Sequence, residues 1–314
     1  MTGLLLSLLF LWTPETGTTS ILEHSDPEEP LSNSTSGIPV LMYHHVSDPV
    51  DGYYGVSTSR FRSDLEKLCA AGFYLITPSD LENGLLQVPA DRRPLMITLD
   101  DGWQDNFTFI ETHGSTEIDP LCVVGILEQF CDQNPEFGRG VTFFISWDKI
   151  PFGQEEYITE KFNLLIDMGY SIGNHTNMHS DFMILPRTKW ERAVLLPMEK
   201  FHRRLGLRTS EIFAMAYPGG RFPKDQGAEE YLSHFQFQNR QAVRIGFLAN
   251  GSISSMNRLL DSTEGIFRIG RLDMSQYSVN RVLGWRNLMT VGPRDNLHDP
   301  LPPRLRQILN FNTI

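Results

Sequence analysis

The stretch from Leu95 to Phe107, LMITLDDGWQDNF, limits most sharply what this chain can become. Five apolar or β-branched residues, Leu95 to Leu99, suit a central strand covered on both faces, and Pro94 stands where such a strand can begin. The run stops on two adjacent carboxylates, Asp100 and Asp101, followed by Gly102 and Trp103. In parallel α/β sheets the carboxyl ends of strands carry ligands and catalytic side chains, because the loops there lie over a rigid sheet. Asp and Gly are also turn formers, so the stretch alone reads equally well as a strand entering a turn.

A second stretch separates these readings. In SIGNHTNMHSDF, Ser171 to Phe182, His175 and His179 stand four positions apart. On a helical turn that spacing puts both rings on one face. Two imidazoles and a carboxylate make a site for a first-row metal, most often zinc, with room left for water. Among nine histidines one such pair arises easily by chance. Asp-Asp-Gly after one strand and His-x-x-x-His after another is a rarer conjunction.

The remainder of the chain alternates strand and helix. Strands are expected at Val40 to His44, Phe73 to Ile76, Leu95 to Leu99, Val141 to Ser146, Tyr170 to Gly173, Ile212 to Ala216, Ala242 to Leu248 and Phe267 to Ile269. Between them the pattern predicts helices over Ser57 to Ala71, Pro78 to Leu86, Asp119 to Phe130, Glu155 to Met168 and Arg187 to Leu205, the last interrupted near Pro197. Thr112 to Asp119 is polar and glycine-containing and is expected to be a surface loop. Such alternation implies a parallel sheet, and about seven units close, or nearly close, into a barrel.

With 314 residues, 40% of them hydrophobic, the chain is long enough for one large domain. Its net charge of −11 and lack of a long basic cluster argue against nucleic acid as a partner. The acidity also argues against a strongly anionic glycan unless basic residues gather locally, for instance near Arg221 and Arg271. Leu4 to Trp12 is an apolar run too short to span a bilayer, read here as a signal peptide or N-terminal anchor over 1–19, with no basic residue before it and no Ala-x-Ala site after it. An acidic, Ser/Pro-rich spacer follows over 20–37. Export, with association at a membrane or cell envelope through the N-terminus, is the localisation this predicts. Three cysteines, Cys69, Cys122 and Cys131, are too few for a disulfide framework; the last two either pair or sit as small buried residues on one helix.

Thr98-Leu99-Asp100-Asp101-Gly102 and His175-Thr176-Asn177-Met178-His179 resemble the first two signature motifs of the polysaccharide deacetylases, the NodB-like enzymes of carbohydrate esterase family 4. Pro39 to Val46, PVLMYHHV, resembles the first strand of their "YHH" subgroup, and Val141 to Ile145 the strand after the first motif. Ala216 to Arg221, AYPGGR, is similar to a variant of the third motif. The resemblance runs from about Pro39 to about Met274 and implies a distorted (β/α)7 barrel, placed here at 38–290 and followed by a Pro-rich tail at 291–314.

Hydrolysing an acetamide needs a nucleophile stronger than water, a base to generate it, an electrophile for the carbonyl oxygen and an acid for the leaving amine. A bound zinc supplies two of these by acidifying water and polarising the carbonyl. Asp101, His175 and His179 are the expected ligands and Asp100 the general base, the division of labour the resemblance also implies. Cobalt or nickel suits the same donors. Gly219 stands where the family usually has tyrosine and retains a backbone N–H for the developing oxyanion. Trp103, Tyr217, Pro218, Gly219 and Arg271 are the expected substrate contacts, with Phe222 as a further stacking surface.

Two positions depart from the family pattern. Ala216 replaces the arginine that usually orients the base, and no late Leu-x-His supplies the acid. His44 or His45 is the candidate substitute for the acid, with His44 preferred, and Arg271 with Asp273 for the orienting pair. The expected activity is removal of N-acetyl groups from a cell-wall or extracellular polysaccharide. Xylan ester cleavage, hydrolysis of a small cyclic amide, and a glycan-binding protein without turnover are the alternatives.

Overall fold

The computed structural model describes residues 37–225, 227–255 and 266–285. The expected leader, nearly all of the spacer and the C-terminal tail lie outside them. Among the described residues no helix is long and apolar enough to cross a membrane.

The core is a parallel sheet of β1 (Val40–Tyr43), β2 (Phe73–Leu75), β3 (Arg93–Leu99), β4 (Val141–Ile145), β5 (Ser171–Asn174), β6 (Ala214–Ala216), β7 (Ile245–Phe247) and β8 (Leu272–Asp273). Their order is β7-β6-β5-β4-β3-β1-β8, with β2 paired to the first half of β3. The acid-bearing strand is therefore central: Met42 and Tyr43 of β1 sit opposite Thr98 and Leu99, and Thr142 and Phe143 of β4 flank the same two residues. Apart from Arg93 the whole of β3 is buried. A strand covered on both faces needs a continuous apolar run, which is what Leu95 to Leu99 supplies.

One short segment closes the sheet. Ile269 bridges Phe247 of β7 at one edge, and three residues later Leu272 pairs with Leu41 of β1 at the other. The fold is a distorted (β/α)7 barrel of the NodB type. Arg271 lies inside this closing segment and is carried into the barrel by it.

Helix α1 (Thr58–Ala70) starts where Ser57 accepts a hydrogen bond from the Arg60 N–H and buries Phe61, Leu65 and Leu68. Helices α2 (Pro78–Glu82) and α3 (Val123–Gln133) follow, and α4 (Ile158–Asp167) sends the buried Lys161 to three acceptors, the carbonyls of Phe107 and Phe152 and the Gln154 side chain. That ammonium ties the loop after β3 to the loop after β4, two of the loops that frame the mouth.

Two expectations need correction. Helix α5 (Trp190–Leu205) runs through Pro197 without interruption. Trp190, Val194, Met198 and Phe201 bury its inner face, which outweighs a proline cost of about 3 kcal/mol. Thr112 to Asp119 is not a loop: Phe109–Thr112 and Ser115–Ile118 form an antiparallel hairpin with Thr112 opposite Ser115. Its turn residues, His113 and Gly114, both have positive φ, the geometry of the tight hairpin turns. Apart from the buried Phe109 the strands are largely exposed, and they carry no regular apolar alternation by which the sequence could announce them.

Gly246 of β7 admits the Tyr217 side chain, since a Cβ there would lie 2.1 Å from the Tyr217 hydroxyl oxygen. That hydroxyl donates to the Phe267 carbonyl at 2.9 Å. Gly246→Ala is expected to cost about 1–3 kcal/mol by overpacking, measured by urea unfolding; an unchanged midpoint would show that Tyr217 is not lodged as described.

Candidate active site

Asp100 ends β3 with its carboxylate inside the barrel. The Arg271 guanidinium grips it with two hydrogen bonds, 2.6 Å to Oδ1 and 2.8 Å to Oδ2. Arg271 also donates to the Thr98 hydroxyl and the Leu248 carbonyl, and none of its surface reaches solvent. Burial works to raise the Asp100 pKa, but the charge of Arg271 and its two hydrogen bonds outweigh it and hold the group at about 2. The carboxylate is ionised throughout the neutral range.

Asp101 turns the other way. Its φ is +73°, and Gly102 follows at +70°. Left-handed backbone at a non-glycine residue is strained by about 1–3 kcal/mol, and it swings the Asp101 carboxylate toward the histidines. Oδ2 accepts the Trp103 indole N–H at 3.1 Å. Oδ1 is buried, has no hydrogen-bond partner, and lies 3.5 Å from Nε2 of both His175 and His179. His175 Nδ1 sits 2.8 Å from the Ala216 carbonyl, which can only accept. The proton is therefore on Nδ1, and Nε2 presents its lone pair to the cluster. Burial lowers the His175 pKa and keeps the ring neutral, as a ligand must be.

An orphaned carboxylate oxygen facing two imidazole nitrogens, all within 4.8 Å of one another, is a donor set for a cation. Asp101, His175 and His179 fit a divalent metal. The histidines do not share a helical turn, as their spacing predicts. They flank an irregular loop in which Thr176 and His179 have φ values of +68° and +46°. The loop, rather than a helix face, brings the rings to centroids 5.0 Å apart.

At the carboxyl end of β1, His44 stacks on Tyr54 and leaves a buried Nδ1 without a partner, and it is near enough to Asp100 to lower its pKa. His45 points to Asp105, 2.8 Å away, and packs against Trp103. Burial pulls the His45 pKa down, yet the hydrogen bond and charge of Asp105 leave it raised overall. Trp103 in turn carries the Lys149 ammonium 3.9 Å from its ring centre. Asp105, Tyr54 and Lys149 were not singled out from sequence. Asp105 lies within the opening stretch, but no periodic element tells where a loop carboxylate will point.

Five expected site residues are placed differently. Tyr217 is fully buried, stacked on the buried Phe222 at 4.4 Å, so neither ring can face a sugar. Pro218 is buried beside them. Arg271 cannot touch a substrate either, because Asp100, Thr98 and the barrel wall enclose it. Asp273 does not join Arg271; its carboxylate accepts from Ser275 and Gln276 and shapes the turn after β8. Gly219 is the exposed member of the Pro-Gly-Gly turn, with φ of +71°.

No family model and no curated protein sequence matches this chain. Among solved structures it is similar to the Streptococcus pyogenes deacetylase PplD in complex with acetate. The two are 17% identical over 83% of this chain and 100% of that one, with a TM-score of 0.58. It is also similar to the Bacillus cereus polysaccharide deacetylase BC0361, at 18% identity over 81% of this chain and 71% of that one, TM-score 0.55. For IcaB from Ammonifex degensii the values are 19%, 77%, 95% and 0.53. This chain has the polysaccharide deacetylase fold. Within it, the Asp-Asp-Gly and His-x-x-x-His segments form one cluster, and the deacetylase barrel is closed by an arginine that sits on the first aspartate.

Replacing Arg271 with methionine strands Asp100 as a buried, unpaired carboxylate. The expected loss is about 3–5 kcal/mol in denaturant unfolding at neutral pH. Asp100 has its pKa lowered in the folded state from 3.8 to about 2, so the stabilisation is fully present above about pH 4 and fades as pH falls toward 2. A variant as stable as wild type at pH 7, or a gap that widens in acid, would contradict the pairing.

Proposed function

We propose that this protein is a metal-dependent hydrolase that removes N-acetyl groups from the amino sugars of a cell-wall or extracellular polysaccharide. The observation that carries the reading is the unpartnered Asp101 Oδ1 equidistant from two histidine nitrogens, beside an aspartate held ionised by Arg271. Zinc is the proposed metal, with cobalt or nickel as substitutes, held by Asp101, His175 and His179. When bound it lowers the pKa of water toward about 7 and draws charge from the acetamide carbonyl.

The chain's own residues do the rest. Asp100 accepts a proton from the attacking water, and Arg271 positions it without touching substrate. The Gly219 backbone N–H donates to the carbonyl oxygen as negative charge develops there, a role that needs no side chain. His44, at the end of the strand next to β3, delivers a proton to the leaving amine. Trp103, with the His45 ring against it and the Lys149 ammonium 3.9 Å from its ring centre, meets the sugar through its edge and that ammonium rather than through an open face. Secretion or attachment at the cell envelope belongs to the same proposal and rests on the apolar run Leu4 to Trp12.

The rival reading, a glycan-binding barrel without turnover, draws on Ala216 and the missing Leu-x-His. Arg271 supplies from another segment the contact that Ala216 cannot make, which favours the enzyme. Acetate release from chitohexaose separates the two. Wild type is expected to release acetate, and Asp100→Asn and His44→Ala each to lower kcat by roughly 10²–10⁴-fold. Glycan binding without acetate from wild type would establish the binder, and an unchanged kcat for His44→Ala would remove His44 as the acid.

A further inference from the structure

The two places where sequence allowed basic charge to gather each already hold a carboxylate. Arg271 is sealed on Asp100, and Arg221 is paired with Asp181 at 2.7 Å. Positive charge gathers elsewhere. A cleft of about 550 Å³ lies between the loop after β4 and the last turns of α5, lined by Trp147, Lys149, Thr159, Lys200, Arg203 and Arg204. On a chain of net charge −11, four cations in one cleft is a local reversal of sign.

Its charges are only half compensated. Glu155 holds Arg204, and Asp148 lies 3.3 Å from Lys149. Among the described residues, Lys200 and Arg203 have no carboxylate partner. Arg203 spends one N–H on the Glu199 carbonyl, and Lys200 rests 5.3 Å over the Trp147 ring. Burial, together with the nearby Arg203 charge, lowers the Lys200 pKa, as crowded cations do. The Trp147 indole N–H is buried without an acceptor, a further donor left over at the same wall.

The cleft is also joined to the proposed active site. Lys149 lines it and at the same time sits 3.9 Å over Trp103, whose N–H bonds Asp101. One aromatic side chain thus separates its rim from the metal carboxylate. A polymer whose acetamide lies at Asp101 and whose next sugars pass Trp103 and Lys149 would lead into the cleft.

We infer that the cleft of Lys149, Lys200, Arg203 and Trp147 is a subsite for a carboxylate or phosphate carried by the polysaccharide, so that the preferred substrate is an N-acetylated polymer that is also anionic. The inference rests on the deacetylase reading for the identity of the polymer, but not for the binding itself. Guanidinium and ammonium donors with one indole N–H recognise a multidentate anion, and partial burial strengthens each contact relative to bulk water.

The test compares two N-acetylated probes of equal length by calorimetry. Chitohexaose is neutral, and hyaluronan hexasaccharide alternates N-acetylglucosamine with glucuronate. Wild type is expected to bind the hyaluronan probe roughly tenfold more tightly at about 20 mM salt, with the preference shrinking by about 300 mM. Lys200→Ala/Arg203→Ala is expected to abolish the preference while leaving chitohexaose affinity, acetate release and melting temperature within error, and Lys200→Arg to retain it. Competition by inorganic phosphate against free glucuronate at matched ionic strength identifies the anion. Equal affinity of wild type for both probes, or a preference that survives the double variant, overturns the subsite. Absence of acetate release with the preference intact would overturn the deacetylase reading alone.

Discussion

A carboxylate and a guanidinium, both removed from water, fix the centre of this molecule. Arg271 exists in its position because the segment from Ile269 to Asp273 joins the two edges of the sheet, and the barrel is closed around the ion pair that results. Two parallel N–H···O contacts define the plane of the Asp100 carboxylate as well as its charge. A buried pair of this kind adds little net stability over an apolar replacement, since each ion loses its hydration. What it provides is a base whose orientation and protonation state do not vary. Folding topology and base chemistry are therefore one feature of the chain, carried by residues 171 positions apart.

The neighbouring cluster depends on strain instead. Asp100 and Asp101 are adjacent, and in a regular strand their side chains would face opposite sides of the sheet. The left-handed conformations of Asp101, Thr176 and His179 break that rule where it matters, turning three donor atoms toward a common point. Asp101 Oδ1, left without a hydrogen bond, then lies 3.5 Å from each imidazole nitrogen. Three strained residues and one orphaned buried oxygen are unfavourable for folding alone. A cation coordinated there would offset that cost, so the cluster reads as a site organised for a ligand rather than for stability.

Much of this was legible in the chain itself. Leu95 to Leu99 announces a doubly buried strand, and the abrupt change to Asp100-Asp101-Gly102 locates its active end. The amphipathic pattern of Phe61, Leu65 and Leu68 places α1 within a residue of its bounds. Other features were not written locally. The His175 and His179 spacing fits a helical turn, yet positive φ angles produce the convergence, and nothing in Thr176 or His179 demands them. Tyr217 looked like a cleft aromatic because it follows a strand; a glycine in the next strand of the sheet, Gly246, decides that it packs inward. Arg271 could be suspected as an orienter or a substrate contact, and only barrel closure distinguishes the two. Lys149, Lys200 and Arg203 meet through tertiary packing, and no spacing in the sequence foretells a basic cleft on an acidic chain.

The account stands on one cation held by Asp101, His175 and His179 with Asp100 left free beside it. Anomalous diffraction at the zinc edge, from crystals grown with zinc, addresses that directly. The account predicts a single strong peak about 2.0–2.2 Å from Asp101 Oδ1 and from Nε2 of both histidines, with Asp100 still paired to Arg271. A peak at another place, or Asp101 rotated away from an empty histidine pair, would contradict it.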